Sequence, residues 1–215
     1  MKEKKEYESL GGTMSVANDF TAYKRELDLI VKQNPIECEL YFIIAAILRE
    51  KFSGKDVSIR DVSALAKQSR SDTIRADDRK YDKRNGTKAV ADFLVMDPSY
   101  TYSSGNKDLI YGCVEAKSIY VTSNDQLDDQ LTGELETFNK LLYTNGLKWI
   151  YYELDKITGQ TSKEEVELGT YFNFNSNHKI PNSRGKISSN DNIKWNDENA
   201  WNSLINMLEK INWRE

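Results

Sequence analysis

Apolar positions fall into a few segments with distinct periods. In DFTAYKRELDLIVKQN, residues 19–34, Leu27, Ile30 and Val31 recur at helical spacing, Asp19 stands at an N-cap position and Pro35 ends the run. PIECELYFIIAAILREKF, 35–52, starts on proline and carries Leu40, Ile43, Ile44, Ile47 and Leu48 at helical spacing, which predicts a long buried helix. SIRDVSALAKQ predicts a short helix capped by Ser58. KAVADFLVMD, 88–97, is apolar on both alternating faces except at Asp92, as in a central strand covered on both sides. Pro98 stops it, and SYTYSSGNK, 99–107, is turn chemistry. The chain returns through 109–121, so the two strands are expected to pair antiparallel, with helix 36–52 on one face of the sheet. DDQLTGELETFNKLL, 128–142, predicts a helix, and LLYTNGLKWIYYEL predicts two short strands about Asn145-Gly146. Residues 155–195 are rich in Asn, Ser, Lys and Gly, with one strand-like piece, VELGTYFNF; DENAWNSLINMLEKINW predicts an amphipathic closing helix. The pattern is that of an α/β chain: a loose tail over 1–18, a core over 19–155, and a C-terminal extension over 156–215 packed on that core.

One strand breaks its own pattern. YGCVEAKSIYV, 111–121, is apolar or β-favouring except at Glu115 and Lys117. Residues two apart on a strand share a face, roughly 6–7 Å apart along it. A buried charge is costly unless it is paired or bound to a metal. Taken alone, Glu-x-Lys is more often a solvent-facing ion pair on an edge strand. Asp92 adds a second carboxylate on the strand expected to lie alongside. Two nearby carboxylates repel and raise their pKa values unless a cation sits between them. Carboxylates with a few waters suit Mg²⁺ or Mn²⁺. A lysine beside such a cation can orient or help deprotonate a water and stabilise charge on a phosphorane, which is equipment for phosphodiester hydrolysis.

Composition narrows the classes. The chain has 215 residues, 30% charged and 39% hydrophobic, and the longest apolar run, LYFIIAAIL at 40–48, is too short to span a bilayer. The N-terminal MKEKKEYESLGG has no signal-peptide core, so a soluble, cytoplasmic protein with no membrane association is expected. Cys38 and Cys113 sit in apolar segments, consistent with a reducing compartment. The single histidine, His178, lies in a polar stretch, which excludes multi-histidine catalysis and Cys/His zinc sites. Net charge is −4, yet residues 67–88 hold eight Lys or Arg against four Asp. That local excess suits a phosphate backbone, with Arg75, Arg79, Lys80 and Arg84 as candidate contacts, or else marks a solvated face.

ADFLVMD followed by GCVEAKS resembles the Asp…Glu-x-Lys core of the PD-(D/E)XK nuclease superfamily. IECELYFIIAAIL precedes the Asp strand as a helix that begins with acids. Gln130-Leu131 follows the Lys strand, in the place of that superfamily's Gln-Leu pair. LLYTNGLKWIYY is similar to the TNG…W hairpin of the amino-terminal nuclease domain of type I restriction subunits and related stand-alone nucleases. The resemblance covers about residues 36–153. It departs at Ala91, where the motif has proline, and in the 23-residue step from Asp92 to Glu115; no helicase motor or methyltransferase sequence follows.

The resemblance implies a restriction-endonuclease-like mixed β-sheet flanked by α-helices, and a Mg²⁺- or Mn²⁺-dependent deoxyribonuclease of a restriction, phage-defence or mobile-element system, with no small-molecule cofactor. Asp92, Glu115 and the carbonyl of Ala116 would hold the metal. Lys117 would position water and phosphate, and Gln130 would steady the water or Lys117. Glu37 would be the helix acid, with Glu39 the alternate. DNA is the implied partner, and cutting both strands of a duplex needs two sites, which a homodimer or a larger assembly would supply. The alternatives are a nucleic-acid-binding or regulatory protein that keeps the fold without turnover, and an unrelated α/β interaction domain. Asn145 and Trp149 are expected to be turn and packing residues.

Overall fold

Asp19 starts the first helix: its carboxylate accepts the Thr21 N–H at 2.7 Å and the Ala22 N–H at 3.0 Å, capping α1 (Phe20–Gln33). Phe20, Tyr23, Leu27, Ile30 and Val31 form its buried face. α2 (Glu37–Lys51) is apolar around most of its surface, burying Leu40, Ile43, Ile44, Ala45, Ile47 and Leu48. Its first turn holds Glu37 and Glu39 and its last turn Arg49 and Lys51, a charge order that suits the helix dipole. The computed structural model describes residues 15–63, 90–121, 129–173 and 191–214.

The chain is mixed α/β. Six strands form one sheet in chain order: β1 (Ser58–Asp61), β2 (Phe93–Met96), β3 (Ile110–Ala116), β4 (Lys140–Thr144), β5 (Lys148–Leu154) and β6 (Thr161–Glu167). Neighbours are antiparallel except β3 and β4, which run parallel and are linked through α3 (Asp129–Phe138). A parallel pair needs such a crossover, since no tight turn can join it. Alternate residues of the central strands feed two cores. Phe93, Val95, Val114, Leu142 and Trp149 pack with α1, α2 and α4 (Glu198–Lys210) on one face; Leu94, Cys113, Leu141 and Ile150 pack with Leu131, Leu135 and Phe138 of α3 on the other.

A hairpin of β7 (Gly169–Asn173) and β8 (Asp191–Trp195) lies beside α1, with Trp195 edge-on to Phe20 at 5.9 Å and Trp201 of α4 stacked on Phe20 at 5.4 Å. The end of the chain is tied to the site-bearing strand. Trp213 is buried against Gly112 of β3, and the Lys140 ammonium reaches the Asn212 carbonyl at 2.5 Å. A Cβ at Gly112 would lie inside the Trp213 ring's van der Waals envelope and 2.9 Å from the Lys140 carbonyl oxygen. Overpacking of this kind costs about 1–3 kcal/mol, so Gly112→Ala is expected to lower the urea midpoint at an unchanged slope. An unchanged midpoint would mean that Trp213 is not seated there.

The expected antiparallel pairing of the Asp92 and Glu115 segments is observed, and so are the four helices, with differences in extent. Ser58–Asp61 is a strand and not a capped helix: Ile59 alone points inward, paired with Val95, and the edge of β2 supplies the hydrogen bonds. β2 begins at Phe93, leaving Asp92 at a bend, and β3 ends at Ala116, with Ile119 and Tyr120 buried beyond it. α3 stops at Phe138 because Asn139 turns to positive φ (64°), which frees Lys140–Thr144 to join the sheet. VELGTYFNF is divided at buried Leu168 between β6 and β7. Residues 1–14 of the expected tail lie outside the described residues.

Candidate active site

The register sets the geometry. β2 and β3 pair Phe93 with Val114, so one step further Asp92 stands across from Glu115. The Val62 N–H bonds to the Asp92 carbonyl at 2.9 Å and the Lys117 N–H to the Thr144 carbonyl at 2.9 Å, which holds both backbone segments past the ends of their strands. Asp92, Glu115 and Lys117 therefore meet at one end of the central strands, where α2 begins on one side and α3 on the other.

Glu115 is only 3% exposed. Its Oε1 accepts from the Lys117 ammonium and from Gln130 Nε2 at 2.7 Å. Its Oε2 is buried with no hydrogen-bond partner among the described residues. Lys117 Nζ also donates to Gln130 Oε1 at 3.1 Å, and Gln130 Nε2 donates to Glu134 Oε1 at 3.0 Å. Asp92 accepts the Tyr41 hydroxyl on Oδ1 and the Ala116 N–H on Oδ2 at 2.8 Å. Glu37 Oε2 accepts the Ser118 N–H at 3.2 Å, and its Oε1 lies 3.3 Å from the Tyr41 hydroxyl. The helix phase is thereby fixed: Glu37 faces the site, while exposed Glu39 accepts from Asn34 Nδ2 at 2.6 Å.

The cluster is electrostatically tense. Burial pushes Asp92 up to about 6, against the Tyr41 and Ala116 hydrogen bonds that pull it down. Glu115 is raised well above the usual carboxylate range, first by burial and then by the charges of Glu134 and Asp92; Lys117 offsets part of this. Burial favours neutral Lys117, but Glu115, Glu37 and Asp92 outweigh it and hold the ammonium charged above the ordinary lysine range. Tyr41 is raised by burial and then by its bond to Asp92, so it stays a donor.

Among the described residues no group of three or more His, Cys, Asp or Glu side chains is arranged to hold a metal. The two carboxylates, Asp92 and Glu115, are the side-chain oxygens that could face a cation, and one Glu115 oxygen is buried without a partner among the described residues. A small hard cation that keeps several waters fits such a set.

Other expectations are resolved residue by residue. Asn145 is a turn residue: its Oδ1 accepts the Leu147 and Lys148 N–H groups at 3.0 and 2.8 Å, beside Gly146 at φ +84°. Trp149 is fully buried in the core. Cys113 is buried and Cys38 exposed, and neither forms a disulfide. Arg75, Arg79, Lys80, Arg84 and His178 lie outside the described residues. Tyr41 and Glu134 were not anticipated. The signal for each was spacing: Tyr41 is four residues after Glu37, and Glu134 sits three after Leu131 and four before Phe138, on the apolar face of α3.

Compared with models of protein families, with curated proteins and with solved structures, the chain matches none. Among the described residues no helix is long and apolar enough to cross a membrane.

Proposed function

We propose that the chain is a metal-dependent endonuclease that hydrolyses DNA phosphodiester bonds on a restriction-endonuclease-like sheet. The observation that carries this reading is the Lys117 ammonium, held between Glu115 and Gln130, with Asp92 across the strand pair and an unpartnered Glu115 oxygen buried beside it. The order of elements adds support. An acid-bearing helix, the Asp92 strand, the Glu115–Lys117 strand, the Gln130 helix and the Asn145-Gly146 hairpin follow one another as the sequence resemblance requires.

Asp92 and Glu115, with the Ala116 carbonyl, would hold Mg²⁺ or Mn²⁺. Such an ion supplies Lewis-acid activation of the phosphate and a more acidic water. Lys117 keeps about a fifth of its side-chain surface exposed (22%). Because its carboxylate neighbours hold it charged, it acts as a cation that grips a phosphate oxygen and orients water, and not as the base. Tyr41 fixes the Asp92 carboxylate, and Glu37 ties down the backbone just after Lys117. The basic stretch 67–88 is assigned to the phosphate backbone on charge alone.

Incubation with supercoiled plasmid is expected to yield nicked and linear DNA with Mg²⁺ or Mn²⁺ and none with EDTA. Retention of plasmid in a filter-binding assay without cutting in either metal would replace this reading with that of a binding protein on a nuclease-like scaffold.

A further inference from the structure

Glu134 is a wholly buried carboxylate on the apolar face of α3, among Leu131, Leu135 and Phe138. A carboxylate there costs folding free energy that a leucine would not. Its Oε1 accepts a hydrogen bond from Gln130 Nε2, one helical turn earlier, at 3.0 Å. Resting on the nuclease reading, we infer that Glu134 is a positioning residue that sets the Gln130 amide and, through it, the Lys117 ammonium.

The amide has one orientation that satisfies every neighbour. Lys117 can only donate, so Gln130 Oε1 must face it. Glu115 accepts one Nε2 hydrogen at 2.7 Å and Glu134 accepts the other. Without Glu134 the second hydrogen is left unmatched at a half-buried place, which is costly. The amide plane can then turn, and Lys117 loses the acceptor that holds it beside Glu115. Glu134 thus acts on the Lys117 ammonium through Gln130, and its charge also bears on Glu115, an effect that both variants remove alike.

The test pairs Glu134→Leu with Glu134→Gln, since glutamine keeps an acceptor oxygen and leucine does not. In ¹⁵N-labelled protein the Gln130 ε-amide is expected to give two resolved, slowly exchanging proton signals in the wild type and in Glu134→Gln, and averaged, fast-exchanging ones in Glu134→Leu. Glu134→Leu is expected to melt no lower than the wild type, because a hydrocarbon replaces a buried acid. Its kcat for plasmid cleavage in Mn²⁺ is expected to fall about 10–100-fold, as when an outer-shell partner is removed, with KM unchanged, while Glu134→Gln stays near wild type. In a Gln130→Ala background the two Glu134 variants should cut at equal rates. An unaltered Gln130 amide in Glu134→Leu overturns the inference, as does a folded Glu134→Gln chain that loses the amide's order. A wild-type chain that cuts nothing removes the nuclease reading, and the amide signals still decide whether Glu134 orients Gln130.

Discussion

Lys117→Ala is expected to lose DNA cleavage by about 10²–10³-fold, the usual cost of removing one group that stabilises charge in the transition state, while it keeps its fold and its affinity for Mn²⁺. The ammonium touches both Glu115 and Gln130, and its side chain still reaches solvent, where a phosphate would approach. Removal leaves Glu115 without that counter-charge. Burial already favours the protonated carboxyl there, so in the absence of metal Glu115 takes up a proton and the chain need not unfold. In Mn²⁺ the carboxylate keeps a partner. Cleavage rates and Mn²⁺ titrations on the same preparations separate the two roles: rate collapses, affinity does not. If Lys117→Ala cuts plasmid at the wild-type rate in Mg²⁺, Glu115 and Lys117 are an ordinary ion pair and the mechanism given above is wrong.

What made this site visible in the sequence was a misfit. Asp92, Glu115 and Lys117 interrupt runs that are otherwise apolar, and the fold buries those runs, so the charges had to be brought together or left uncompensated. Gln130 was reached through the helix that follows. Tyr41 and Glu134 carried no such misfit, since a tyrosine near a helix start and a glutamate in GELE are ordinary helix composition; only their spacing to Glu37, Leu131 and Phe138 distinguishes them. The same logic sorts the fold. α1 was legible because Asp19 caps it and one face is apolar, and α4 through its apolar face, to which the structure adds the Asp197 cap. β6, TSKEEVE, was not, because it is an edge strand with only Val166 turned inward, and its extended form comes from the hydrogen-bonding edge of β5. β1 is a similar case, a four-residue edge strand held by β2. Where tertiary pairing, and not local periodicity, selects the element, the sequence pattern has little to show.

In EDTA at pH 7.5, Asp92→Asn is expected to melt higher than the wild type. Asp92 has a folded pKa raised to about 6 from an ordinary 3.8, so between these values the folded chain binds more protons than the unfolded one. The sign follows: this group's contribution is fully present below pH 4, declines as pH rises through 4 to 6, and is absent above. At about 1.4 kcal/mol for each pKa unit, the ionised carboxylate costs the metal-free fold up to about 3 kcal/mol at neutral pH. Asparagine removes that charge and keeps the bonds. Its oxygen accepts the Ala116 N–H, and its nitrogen donates to the Tyr41 oxygen, whose proton turns to Glu37 at 3.3 Å. The difference in melting temperature, variant minus wild type, should be near zero at pH 4, grow through pH 6 and then level off at several degrees, given about 2–4 °C per kcal/mol for a chain of this size. Mn²⁺ should reverse the order at pH 7.5, because ligand binding to the folded state stabilises only the chain that retains both carboxylates. A variant less stable than the wild type in EDTA at pH 7.5 would mean that the Asp92 carboxylate is a net structural hydrogen-bond acceptor, and that the cluster holds no charge in need of a cation.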